Sequence, residues 1–155
     1  MQWTVNIAFF MYLLLLARAD LKTKTLPPAL LIGGGLLGFL LLGLRLLAGE
    51  LGAERLLPEY GPGLLLGIIL WGLSQVSGGA LGKGDSLAFI SFSFWKPWGF
   101  CFSLLMFSSL FLALSGILLM LKKGQKKDLK LPLMPFVAAW ALVLILGELL
   151  PAASP

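Results

Sequence analysis

Two aspartates are the residues of this chain whose placement is best suited to chemistry. Asp20 follows the first long apolar run, and Asp85 ends the stretch Gly82-Lys83-Gly84-Asp85 between two further apolar runs. A carboxylate at the edge of an apolar span is costly to bury and therefore calls for a functional reason. The chain has no His and a single Cys, Cys101, which we expect to be a packing residue. Paired carboxylates are therefore the most evident acid–base chemistry available to it.

Two carboxyl groups held close together cannot both ionise cheaply, so one of them keeps a proton. The ionised group can take a proton from water while the protonated group polarises a carbonyl, which hydrolyses an amide without a covalent intermediate. We predict that Asp20 and Asp85 are catalytic and that neither a metal nor another cofactor is needed. Gly82 and Gly84 let the backbone turn sharply, and we expect them to let a substrate chain approach Asp85.

Simpler roles for these residues stay open at this point. Asp20 could end the first span among its basic neighbours, and Asp85 could cap a helix, a position that Asp favours. Gly82 and Gly84 could be ordinary loop glycines, and Lys83 a lysine placed by the charge bias of membrane loops.

The elements that position the aspartates are predicted to be membrane helices. The chain has 155 residues, of which 59% are hydrophobic and only 12% charged, and its mean hydropathy is +0.97. A soluble domain of this length cannot bury so much apolar surface, so lipid must be the solvent for most of it. We predict a single all-α membrane domain over residues 1–155 with about six spans. We place the spans at about 3–19, 29–48, 63–76, 85–95, 98–121 and 132–150.

Charge placement predicts how the chain sits in the membrane. Most Lys and Arg residues fall in segments 18–28, 77–85 and 122–131, which predicts that both aspartates face the cytoplasm and both termini lie outside. The first apolar run has no positive charge before it, so we interpret it as a span and not as a cleaved signal peptide. The lysine-rich segment 122–131 is expected to bind anionic lipid headgroups. Asp128 within it could instead contact a positively charged part of a substrate.

Several packing predictions accompany this arrangement. The fourth span has about 11 residues, or about 16 Å of helix, so it is either shielded by its neighbours or longer than its predicted bounds. Gly34 and Gly38 lie on one face of the second span and should permit close contact. Trp95 and Trp98 are expected at the membrane surface, and Glu148 is expected to be a surface residue.

The two aspartate motifs resemble those of a known family. Asp20-Leu-Lys-Thr-Lys-Thr-Leu26-Pro27 is similar to the first catalytic motif of the type IV prepilin peptidases, and Gly82-Lys83-Gly84-Asp85 to their Gly-x-Gly-Asp motif. The segment Pro132-Leu133-Met134-Pro135-Phe136 resembles the Pro-x-x-Pro-Phe start of their last span. The resemblance extends from about residue 5 to residue 148.

The resemblance implies an integral-membrane aspartic endopeptidase of a prokaryotic inner membrane. Such enzymes remove the short basic leader of prepilins and pseudopilins after a glycine, at the cytoplasmic face. Asp20 and Asp85 match the family's two catalytic positions. Longer members carry an N-terminal domain linked to N-methylation, for which this chain has no room, so we expect peptidase activity without methyltransferase activity. A nucleic-acid partner is not expected.

Three alternatives remain. Presenilin-like proteases also contain Gly-x-Gly-Asp but cut inside the membrane, and their first aspartate follows Tyr within a span, whereas Asp20 follows Ala19. A small transporter or channel could use Asp20 and Asp85 as an ion or proton relay. A non-catalytic assembly subunit of a pilus or secretion machine would need neither carboxylate.

Overall fold

Every element described in the computed structural model is an α-helix, which confirms the predicted all-α fold. The structure describes residues 2–76, 82–123 and 132–149. The predictions for the glycine-rich stretch before Gly82, for most of the lysine-rich segment with Asp128, and for the last residues lie outside these ranges. The helices are α1 (Gln2–Thr23), α2 (Pro28–Leu47), α3 (Ala53–Val76), α4 (Lys83–Phe92), α5 (Trp98–Lys123) and α6 (Met134–Leu149).

Four of these helices, α1, α2, α3 and α5, are long and apolar enough to cross a membrane. Their outer surfaces expose large apolar side chains that a soluble protein would have to bury. Examples more than half exposed are Ile32, Leu36, Phe39, Leu65, Leu110 and Ile117. These helices and exposed side chains agree with the predicted membrane protein. Which end of the bundle faces the cytoplasm stays a prediction. Helix α6 is apolar but shorter, over Met134–Glu148.

Helix α4 is a short helix shielded by its neighbours, the first of the two possibilities for the fourth span. Its 10 residues rise about 15 Å, roughly half a hydrocarbon core. It packs mainly against α3 and α2. Gly67 of α3 allows this approach, because a Cβ there would lie 2.8 Å from the backbone nitrogen of Ile90. The buried residues of α4 are Ser86, Ala88, Phe89, Ser91 and Phe92.

The helices form a closed series of neighbours around an aromatic core. Helix α1 packs on α6, α6 on α5, α5 on α3, α3 on α4, α4 on α2, and α2 on α1. The ring of Phe9 from α1 meets Phe92 of α4 edge-on, with centroids 5.7 Å apart. Tyr12, one turn further along α1, stacks on Trp95 at 5.8 Å. This packing joins α1, which carries Asp20, to the helix that carries Asp85.

The glycine face of α2 is confirmed, and it explains why the expectation for Trp95 was wrong. Gly34 and Gly38 are both buried. A Cβ on Gly34 would overlap the Tyr12 ring, and one on Gly38 would lie 2.5 Å from Nε1 of Trp95. Trp95 is only 1% exposed, and its indole N–H donates to the carbonyl of Gly34 at 2.9 Å. Trp98, by contrast, is 47% exposed, as an interface residue would be.

Helix α3 begins ten residues earlier than the sequence predicted, at Ala53 instead of Gly63. The segment before Gly63 was interpreted as a connection because it is polar and contains Pro58 and Pro62. Both prolines lie inside the helix. Prolines are tolerated within membrane helices, where neighbouring groups satisfy the freed backbone positions.

Candidate active site

Asp20 lies near the C-terminal end of α1, which continues past the apolar run to Thr23. Lys24, directly after the helix, has a backbone φ of 53°, and its N–H still donates to the carbonyl of Asp20 at 2.8 Å. Asp20 is 6% exposed, although Arg18 and Lys22 stand close to it in sequence. Among the described residues it forms no ion pair with them. Its carboxylate is therefore directed into the bundle and is not one of a group of surface charges.

The carboxylate of Asp20 is fixed by the start of α6. The backbone N–H of Met134, the first residue of α6, donates to Oδ2 of Asp20 at 2.9 Å, and this hydrogen bond is buried. The first N–H groups of a helix have no partner within the helix and favour a negative charge. Such a donor holds an ionised carboxylate in one orientation. Asp20 thus caps α6, a structural role that the sequence did not predict and that leaves Oδ1 for other contacts.

Asp85 lies in the first turn of α4, which is not one of the four candidate spans. The N-cap of α4 is Gly82, so the alternative of Asp85 as the capping residue is wrong. Ser86, the next residue, anchors this turn. Its hydroxyl lies 3.2 Å from the carbonyl oxygens of both Gly82 and Leu70, and the second of these belongs to α3.

The two predicted motifs contact each other through glycine. A Cβ on Gly84 would lie 3.1 Å from Cβ of Leu26, so the absence of a side chain lets the α1–α2 connection approach the start of α4. A Cβ on Gly82 would lie 2.6 Å from Oδ2 of Asp85. The Asp85 carboxylate therefore folds back over Gly82. The structure gives both glycines a packing role, and Gly82 in particular determines where that carboxylate can sit.

The electrostatics of the two aspartates are coupled. Burial, and secondly the negative charge of Asp20, raise the pKa of Asp85 from 3.8 to about 6. Like charges disfavour each other's ionised form when they are close and poorly solvated. Asp85 can therefore hold a proton up to about pH 6, beside an Asp20 carboxylate that is fixed by a backbone donor.

An apolar groove runs along α2 and α4, and its lining includes neither Asp20 nor Asp85. Its volume is about 350 Å³. Leu87, two residues after Asp85, lines one wall, and Pro28, directly after the first motif, lines the other. Gly35 lies in its floor, where a Cβ would be 3.6 Å from the Ser91 hydroxyl. The groove could hold an apolar helix or strand beside the aspartates.

A second groove, also about 350 Å³, lies at the same end of α1 and is lined by Arg18, Lys22 and Thr25 but not by Asp20. Its positive charge suits anionic headgroups better than a basic peptide. Within the described ranges, no three His, Cys, Asp or Glu side chains are grouped as a metal site would require.

Sequence reasoning missed Met134 and Ser86 as parts of this site. Met134 acts through its backbone N–H, which no residue pattern reports, although the prolines flanking it indicated where α6 begins. Ser86 directly follows Asp85, and its hydroxyl at the start of a short helix was the sequence signal that could have predicted its contact with backbone carbonyl groups.

The fold and the site together define a helical membrane protein with a pair of partly buried, electrostatically coupled aspartates. No protein-family model matches this chain, and no curated protein or solved structure matches it either.

Proposed function

We propose that this protein is a membrane aspartic endopeptidase that removes the leader of prepilin-like proteins. The observation that carries the proposal is the convergence of the two motifs. Leu26 of the first packs on Gly84 of the second, and the charge of Asp20 reaches Asp85, although all of α2 and α3 lies between the two aspartates in the chain. Two coupled carboxylates that share a proton are the chemistry that amide hydrolysis by water requires.

The surroundings of the aspartates divide the two catalytic roles between them. Asp20, held by the Met134 N–H, is the ionised base that takes a proton from the attacking water. Asp85, with its pKa raised to about 6, is the acid that donates a hydrogen bond to the scissile carbonyl. As water adds, Asp20 takes a proton from it and Asp85 gives its proton to the carbonyl oxygen, which forms a diol. When the C–N bond breaks, Asp20 gives its proton to the amine nitrogen, and Asp85 takes one back from a diol hydroxyl as the carbonyl re-forms.

The apolar groove between α2 and α4 supports a substrate with a hydrophobic helix. A prepilin-like protein has such a helix directly after its cleavage site. With that helix against Leu36 and Phe39, the preceding peptide bond would lie near Leu87 and hence near Asp85. Ile32, Leu36 and Phe39, which line the groove, are more than half exposed, so a substrate helix could reach it from the lipid without crossing water.

The test is cleavage of a prepilin-like substrate by the intact protein in membranes. We expect co-expression with candidate prepilins to give a product shortened by its leader, and Asp20→Asn and Asp85→Asn each to abolish it while membrane insertion is unchanged. Glu54→Gln, which alters an exposed carboxylate, serves as the matched control and should retain full activity. Cleavage at the normal rate by either aspartate variant would refute the assignment.

Three further measurements separate the alternative functions. The N-terminus of the product distinguishes leader removal from a cut within the membrane, as a presenilin-like protease would make. Ion flux in liposomes without any product would indicate a relay. Pilus or secretion-machine assembly that is unaffected by both aspartate variants would indicate a non-catalytic subunit.

A further inference from the structure

A polar chamber lies at the end of the bundle opposite the aspartates. On α1, Asn6 lies about 21 Å along the helix from Asp20. Glu148 lies about the same distance along α6 from Met134, the residue that contacts Asp20. The chamber has a volume of about 170 Å³, whereas one buried water needs only about 10–15 Å³. Its polar lining is formed by Asn6, Arg45, Glu59, Tyr60, Lys96 and Glu148.

Lys96 and Glu148 already satisfy each other. Lys96 is 4% exposed, and its ammonium donates to both carboxylate oxygens of Glu148, at 3.0 and 2.8 Å. The same ammonium lies 4.5 Å from the centre of the Phe100 ring. This pair forms a wall of the chamber, and its groups are not the ones that still need a partner. Glu148 is thus more than the surface residue that the sequence predicted.

Asn6 and Arg45 each have a buried group without a hydrogen-bond partner. Asn6 is 3% exposed, and its amide nitrogen donates to Glu148 at 3.0 Å. Because a carboxylate only accepts, this bond fixes the orientation of the amide. Oδ1 of Asn6 is therefore an acceptor, and it has no donor within the described residues. Nε of Arg45 is likewise a buried donor without a hydrogen-bonded acceptor there.

The chamber therefore needs a ligand that both accepts and donates. The lining carries two cations, Arg45 and Lys96, and two carboxylates, Glu59 and Glu148. Outside it, a Glu50 carboxylate oxygen lies 3.9 Å from Nε of Arg45. The surroundings therefore disfavour a net anion and favour a ligand that carries a cation, such as a zwitterion. Nη1 of Arg45 donates to the Tyr60 hydroxyl at 2.9 Å, so the guanidinium has a fixed orientation. Trp3 and Trp98, both at this end, are 60% and 47% exposed, as aromatic side chains at the headgroup level of a membrane are.

We propose that the polar chamber binds the phosphoethanolamine headgroup of a membrane lipid. The phosphate accepts from Nε of Arg45 and from the Tyr60 hydroxyl. The primary ammonium donates to Oδ1 of Asn6 and lies against the carboxylate of Glu59. A choline headgroup cannot replace it because its trimethylammonium carries no N–H, and a glycerol headgroup carries no cation. The site is independent of the peptidase proposal.

Lipid retention by the intact protein in detergent micelles tests this directly. Phosphatidylethanolamine, phosphatidylcholine or phosphatidylglycerol is added at a few molecules per protein, and native mass spectrometry and the thermal unfolding midpoint are recorded. We expect phosphatidylethanolamine to be retained and to raise the midpoint more than the other two lipids. Soluble phosphoethanolamine at the same concentration should not raise it, because it lacks the acyl chains.

Matched variants locate the effect. Asn6→Leu removes the unpaired acceptor and should weaken phosphatidylethanolamine retention about tenfold. Thr4→Leu, at an exposed position of the same helix, should leave it unchanged. If Asn6→Leu does not fold, Glu59→Gln serves as a second variant, and we expect it to weaken phosphatidylethanolamine retention by a similar factor. Equal retention of the ethanolamine and choline lipids, or an ethanolamine preference that survives Glu59→Gln, would overturn the proposal, as would stabilisation by soluble phosphoethanolamine alone.

Discussion

Replacing the proposed catalytic acid, Asp85, should make the protein more stable above about pH 6 but not below about pH 4. Burial and the charge of Asp20 raise the pKa of Asp85 from 3.8 to about 6. The folded state thus disfavours the ionised carboxylate relative to the unfolded state. The associated stability is fully present below about pH 4, is lost between pH 4 and 6, and stays lost above pH 6. Asp85→Asn has nearly the same shape but carries no charge to disfavour.

The size of the gain follows from that rise in pKa. A rise from 3.8 to about 6 corresponds to at most about 3 kcal/mol of destabilisation once Asp85 is ionised. Asp85 is only partly buried, and solvent screening reduces this to about 1–2 kcal/mol. For a chain of this size that is about 2–8 °C in the unfolding midpoint.

The assay is thermal unfolding of both proteins in the same detergent at about pH 8 and about pH 4, with cleavage measured in parallel. We expect Asp85→Asn to be inactive at both values, more stable than wild type at pH 8 by the amount above, and no more stable at pH 4. Glu54→Gln, at an exposed position, should show no such pH-dependent gain. Equal or lower stability of Asp85→Asn at pH 8 would refute the reasoning, since it would mean that the folded protein tolerates the charge.

Three further variants probe the same structure. Gly82→Ala should displace the carboxylate of Asp85, which lies where the new Cβ would be. We expect the cleavage rate to fall about tenfold or more with little change in the unfolding midpoint, and normal activity would contradict this. Gly35→Leu should fill the apolar groove and lower kcat/KM about tenfold or more, mainly by raising KM. Its control, Gly33→Leu, lies at a position with open space around it and should leave kcat/KM unchanged. Equal effects of the two variants would exclude the groove as the substrate path. Glu148→Gln should weaken its pairing with a buried lysine and cost about 1–3 kcal/mol in unfolding free energy; an unchanged midpoint would show that the pair adds nothing.

The sequence predicted well most features that depend on one helix at a time, with the start of α3 as the exception. Long apolar runs gave the four helices that can cross a membrane, and the spacing of Gly34 and Gly38 gave the buried face of α2. Residue spacing within one segment determines which residues share a helix face, and the length of one apolar run determines whether the helix can span a membrane. The shortness of α4 was likewise visible in the number of apolar residues after Asp85.

What the sequence did not predict depends on contacts between distant segments. Trp95 was interpreted as an interface anchor because a tryptophan beside Lys96 and Pro97 usually is one. Its burial depends on the space left by Gly38, a residue of another helix. The cap that Asp20 provides for α6 is of the same kind, since the Met134 backbone N–H becomes a partner only after two helices have packed.

The two ends of α1 show why a buried polar group alone does not identify a catalytic site. At one end Glu148 neutralises Lys96 at close range, so this pair is fully accounted for by mutual stabilisation. At the other end Asp20 and Asp85 have the same sign, and the charge of Asp20 makes the ionised form of Asp85 less favourable. Folding alone gives no reason to bring like charges together. Stability would be served better by removing one of them, which is why the aspartates call for an explanation in terms of function.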